Sequence, residues 1–122
     1  MMKSRENILK EKSYSFAIRI VRLSQFLLTE KKEFVLSKQI LRSGTAVGAL
    51  IREAEFAQSK ADFINKMSIA LKEANETDYW LLLLRDTDYL EEKLFENLEQ
   101  NCKELIALLV ASIKTAKMNN EK

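Results

Sequence analysis

Apolar residues recur at three- and four-residue spacing through most of the chain, in four segments separated by short polar stretches. This is the helical period. In the first segment, about residues 7–29, Tyr14, Ala17, Ile18, Val21 and Leu28 define one face, and Phe16, Ile20, Leu23 and Leu27 widen it. The remaining polar strip is narrow and holds Ser15, Arg19 and Arg22, with Phe26 among them. An apolar arc of that width predicts burial on two sides.

The second segment, about 34–58, places Leu36, Ile40, Val47, Ile51 and Ala54 on one stripe, with Lys38, Arg42, Thr45, Ala49 and Arg52 opposite. Gly44 lies beside that stripe with Gly48 four residues on, and each costs about 1 kcal/mol against alanine in a helix interior. Close approach of a neighbouring helix is the expected compensation. The third segment, 60–86, opens at Ser59, whose hydroxyl is placed to accept from the amide of Asp62, with Asp62 reaching back to residue 59 as a capping box. Its core stripe is Phe63, Met67, Ala70, Leu71, Ala74 and Leu81, and Asp78 falls among them. A carboxylate there requires a partner. Ile69, Trp80 and Leu83 form a second apolar patch beside Glu73 and Glu76, which predicts a further packing partner. In the fourth segment, 91–117, a capping box from Asp88 to Glu91 precedes a heptad-like row containing Leu94, Leu98, Cys102, Leu105, Leu109 and Ile113. Cys102 reads as a small core residue. Residues 1–5 and the stretch after Lys117 are expected to fray.

Four long helices joined by a few residues each must return antiparallel to their predecessors. The predicted fold is a single all-α domain, an antiparallel up-down-up-down four-helix bundle over 1–122. Composition supports it: the 122 residues include two glycines and no proline, and leucine, alanine, glutamate and lysine dominate.

Composition also narrows function. With no histidine, the imidazole nucleophile systems, a near-neutral general base and histidine metal ligands are all excluded. A bundle of the di-iron type needs Glu-x-x-His pairs and is excluded with them. One cysteine makes neither an internal disulfide nor a four-cysteine zinc site, so a reducing, cytoplasmic setting is expected. Two glycines supply no phosphate-cradling loop. No apolar run is long enough to cross a bilayer, and the polar N-terminus is unlike a signal peptide. A non-enzymatic protein with no cofactor and no metal is expected.

The stretch from Ile40 to Leu90 carries a resemblance. Its most specific pieces are Arg42-Ser43 leading into the glycine-containing helix, Ser59-Lys60-Ala61-Asp62-Phe63, and Ala70-Leu71-Lys72-Glu73-Ala74 followed by Glu76 and Tyr79-Trp80. Through these the chain resembles, over nearly its whole length, the bacterial four-helix bundle family named for proteins encoded in the intervening sequence of the large-subunit ribosomal RNA gene. Where that family often has Asn-Ile-Ala-Glu, this chain reads Leu50-Ile51-Arg52-Glu53. The resemblance implies a homopentamer, a short barrel of bundles around a channel. It also implies kinship with the accessory variability protein of diversity-generating retroelements, which binds nucleic acid and a reverse transcriptase through a basic surface.

Charge is unevenly distributed along the chain. Residues 1–61 carry twelve Lys or Arg and six Asp or Glu, a net +6, and residues 62–122 carry eight and twelve, a net −4. Unlike halves suit head-to-tail contacts in a ring. Arg19 and Arg22 on the first helix with Lys38, Arg42 and Arg52 on the second are the candidate nucleic-acid surface, suited to phosphates and specifying no base. Pattern alone leaves open whether Arg42 and Arg52 face solvent or pair with Asp78 and Glu53. Ile69, Tyr79, Trp80 and Leu83 are the candidate subunit interface, although packing of Tyr79 and Trp80 within the bundle is the simpler expectation. Two readings remain: a homo-oligomeric adaptor holding RNA, DNA or a nucleic-acid enzyme, and a purely structural or protein-binding module that binds no nucleic acid.

Overall fold

A computed structural model describes residues 4–120 and contains four helices, α1 (Ser4–Thr29), α2 (Leu36–Glu55), α3 (Lys60–Asp86) and α4 (Glu92–Asn120). Each helix packs on its neighbours in sequence, and α1 meets α4 to close the bundle. The α1–α4 seam is the loosest of the four. The core runs the length of the bundle through Leu9, Phe16, Ile20 and Leu27 of α1, Ile40, Val47 and Ile51 of α2, Met67, Ala74 and Leu81 of α3, and Leu98, Leu105 and Leu109 of α4. Met118 and Asn119 continue α4 in place of the fraying expected after Lys117, and α1 begins at Ser4. The rest of the fraying expected at the two ends falls at residues 1–3 and 121–122, outside the described residues.

The face assigned to α1 from its pattern requires correction. Tyr14, Ile18 and Val21 are exposed, and Phe16, Ile20, Leu23 and Leu27 face the core. Both sets satisfy a helical spacing. Two observations select the second: Gly44 of α2 abuts Ile20, and the Ser24 hydroxyl bonds to the Ser37 carbonyl at 3.2 Å. A methyl group built on Gly44 falls 2.8 Å from Ile20 Cγ2, so the Ile20 side chain occupies the space a Cβ would need. At Gly48 the nearest atom, Ser13 Oγ, is 3.4 Å away, an ordinary contact. α1 therefore passes close to both glycines, its Ser13 carbonyl lying 3.5 Å from a methyl on Gly48, but only Gly44 lacks room for a side chain.

Most of the buried polar side chains are hydroxyls, and several bond between helices. The hydroxyls of Ser43 and Thr77 lie 2.8 Å apart between α2 and α3, and Ser112 Oγ donates to Glu6 Oε2 at 2.9 Å between α4 and α1. Cys102 is buried as expected, its thiol donating to the Ala74 carbonyl at 3.2 Å.

The turns show which caps form. Ser59 is extended and accepts from Asp62 N at 3.0 Å, as predicted, but the Asp62 carboxylate accepts from Gln58 N, one residue before the capping-box position. α2 stops at Glu55, three residues short of the expected end, because the Phe56 and Ala57 amides bond back to Glu53 and Ala54. At the start of α2, Glu33 accepts from the amides of Val35 and Ser37. The capping box expected from Asp88 is displaced: Asp88 adopts φ 69° in the turn, Leu90 is buried beneath it, and α4 begins at Glu92.

Candidate functional surfaces

The five cations proposed from the sequence do not form one strip. Arg42 is drawn to α3, where it chelates Glu73 at 3.2 Å and also bonds to Glu76. Asp78 and Glu53 are not its partners, and Glu53 instead pairs with Lys66 at 3.0 Å. The opposing carboxylates hold the Arg42 guanidinium above its ordinary pKa, and Glu76 is held below the usual glutamate value, first by the Trp80 indole and then by Arg42. Arg19 bonds to Asn101 of α4, and Arg19 and Arg22 both line the α1–α4 seam. Arg52 lies across the bundle, its guanidinium 5.8 Å from the Tyr14 ring in a shallow α1–α2 groove. Lys38 is exposed on α2. Among the described residues, no carboxylate lies within ion-pair distance of Arg22, Lys38 or Arg52.

Apolar surface is exposed on two unlike faces. On α1, Tyr14 is 58%, Ile18 40% and Val21 36% exposed, and the α1–α2 groove beside them is lined by Ala17, Thr45 and Ala49. On α3, Tyr79 is 55% exposed, not packed as expected, and meets Trp80 edge-to-face at 5.0 Å. Trp80, Ile69 and Leu83 are half-buried. Trp80 packs against the core and donates its indole N–H to Glu76 at 3.0 Å, so it serves the bundle while presenting an edge outward.

The partner that Asp78 requires proves to be another acid. Asp78 of α3 faces Glu99 of α4, and one carboxylate oxygen of Asp78 is buried without a hydrogen bond. Burial, and then the hydrogen bond and charge of Asp78, push Glu99 above the usual glutamate range, with Lys103 and Arg85 acting weakly in the other direction. Burial together with this acid pair pushes the Cys102 thiol up to about 12. Helical spacing marks Asp78 as inward-facing, but the partner lies on another helix and no single-helix pattern identifies it.

Among the described residues no cluster of three or more acidic or thiol side chains is arranged to hold a metal ion. Nor is any helix there long and apolar enough to cross a membrane.

Comparison with known proteins gives two findings. Residues 5–111 match the family described as 23S rRNA-intervening sequence protein. The fold is similar, with a TM-score of 0.89 and 58% sequence identity over 90% of this chain and 98% of the other, to a crystal structure from Bacteroides thetaiotaomicron of a protein of unknown function from the S23 ribosomal protein family. No protein of curated function matches.

Proposed function

The chain belongs to the 23S rRNA-intervening sequence protein family, and from that premise we propose that it is a non-enzymatic, cytoplasmic scaffold that assembles into a ring and holds nucleic acid, or a protein that handles it, on a basic outer surface. The observation that carries this reading is the pair of unlike apolar faces, Tyr14, Ile18 and Val21 on one side and Ile69, Tyr79, Trp80 and Leu83 on another. A two-fold dimer joins a patch to its own copy, whereas a ring joins two different patches on every subunit. Five subunits is the number that the sequence resemblance implies.

The cations carry the second half of the proposal. Lys38 and Arg52, exposed on α2, and Arg22, exposed on α1, have no carboxylate partner among the described residues. Repetition around a ring multiplies a field that is weak in one copy. Arg42 is outside this set, since Glu73 and Glu76 neutralise it.

The double replacement Lys38→Glu and Arg52→Glu is expected to abolish retention of short RNA or DNA with the assembly mass unchanged, and the parent affinity to fall steeply between about 50 and 200 mM salt as phosphate counterions are released. Retention unchanged by the double replacement, or none by the parent, removes nucleic acid from the account. Engagement of Arg42 and Arg19 within the bundle favours a second reading, a structural module that binds only protein. Under it the parent assembles but retains no nucleic acid at low salt.

A further inference from the structure

The loosest seam of the bundle also carries a groove. Between α1 and α4, Leu23, Phe26, Leu94 and Leu98 form an apolar floor and Arg19 and Arg22 a cationic rim, around a volume of about 320 Å³. Hollows at its two ends share lining residues with it, and towards Lys12 the seam is bridged by Arg19 with Asn101 and by the Lys12–Glu104 ion pair at 3.1 Å. Phe26 and Leu94 also border a hollow under the α3–α4 turn, and Arg19 also borders a hollow reaching Lys12 and Glu104. From Lys12 to Phe26 along α1 is about 21 Å at 1.5 Å per residue, the length of a four-turn helix.

We propose that this trough is the docking site for an acidic amphipathic helix of a partner protein. Two antiparallel helices with a gap between them offer a fifth helix an apolar seat, into which side chains spaced i, i+3 or i+4, and i+7 descend. The rim decides the charge of the occupant: in the central part, Arg19 and Arg22 are the only ionisable side chains, so carboxylates flanking the apolar stripe meet cations on the α1 side. A nucleic-acid backbone matches the arginines but leaves the apolar floor unused.

The site is distinct from both apolar faces assigned to subunit contacts, so its test separates from theirs. The probe is a fluorescent four-turn synthetic peptide with leucines on one helical stripe flanked by glutamates, titrated by anisotropy, with methyl NMR of Leu94 and Leu98 reporting location. Saturable binding is expected, with shifts at those leucines, and with affinity lowered roughly tenfold by Arg22→Glu and by Phe26→Ala, both at exposed positions. A lysine-flanked peptide is expected to bind Arg22→Glu better than it binds the parent. The proposal is overturned if a peptide of the same composition with scattered leucines binds equally well, if neither replacement changes affinity, or if an oligonucleotide displaces the peptide from the groove. It is also overturned if peptide binding lowers the mass of the assembly, because a second copy of the chain then fills the groove. A protein that is monomeric without the peptide and still binds it in the groove overturns the ring alone.

Discussion

Gly44→Ala sets two opposing terms against each other, and the structure supplies both. Alanine gains about 1 kcal/mol over glycine in a helix interior. The added methyl, however, falls 2.8 Å from Ile20 Cγ2, 2.9 Å from Cγ1 and 3.2 Å from Cβ, so it meets the branched stem of a fully buried side chain that cannot swing aside. Relief requires α1 and α2 to separate locally, and overpacking of this kind costs about 1 to 3 kcal/mol. The net expectation is a loss of about 1 kcal/mol. Gly48→Ala carries the same helical gain without the clash, because its nearest neighbour is Ser13 Oγ at 3.4 Å, and it is expected to stabilise by about 0.5 to 1 kcal/mol. Urea unfolding followed by circular dichroism at fixed protein concentration measures the difference, and concentration must be held because association adds to apparent stability. Ile20→Ala alone costs about 2 to 5 kcal/mol, but combined with Gly44→Ala it is expected to cost less than the sum, since it removes the atoms that clash. A stabilising Gly44→Ala, or strict additivity with Ile20→Ala, refutes the account of the α1–α2 contact.

Further predictions concern three ionisable groups of α3 and α4. Glu99 has a raised pKa, so the folded state holds its proton to higher pH than the unfolded chain does; stability therefore rises as pH falls through the folded pKa and levels off below the unfolded one. As pH falls from neutral towards the ordinary glutamate value the parent should gain stability, and Glu99→Gln, which keeps a donor towards Asp78 without titrating, should be more stable at neutral pH and lose that rise. A parallel pH profile for parent and variant shows that the pair is uncoupled from folding. Glu76 has the opposite sign: its lowered pKa contributes stability above the unfolded value that is lost as pH falls through the folded one. Cys102, buried and with its thiol pushed up to about 12, should resist alkylation in the native state and react at the rate of unfolding; rapid modification of folded protein contradicts its place in the core.

The four helices, their order and the third helix cap are legible in the sequence because each is decided within a few residues by period, by Ser59, and by the absence of proline. The facing of α1 is not, since Tyr14, Ile18 and Val21 and the true core set Phe16, Ile20, Leu23 and Leu27 are both apolar and both helical in spacing. Only Gly44 and Ser37 on the neighbouring helix choose between them. Charge behaves likewise. The spacing of Arg42 places it with Lys38 and Arg52, but the acids that take it out of that surface, Glu73 and Glu76, lie about thirty residues later on another helix. Tyr79 adjoins a genuinely packed Trp80, yet successive helical residues point about 100° apart, so one is held by the core and the other is exposed.

Assembly through two unlike apolar faces is the central claim, and the absolute mass of the unmodified protein in solution, by size-exclusion chromatography with light scattering, tests it most directly. The account predicts a mass of three or more 14.2 kDa protomers, with five copies the expected number, and a two-fold dimer contradicts it. A mass of one protomer across the accessible concentration range contradicts it, because Tyr14, Ile18 and Val21 would then stand in water with no copy of the chain to cover them.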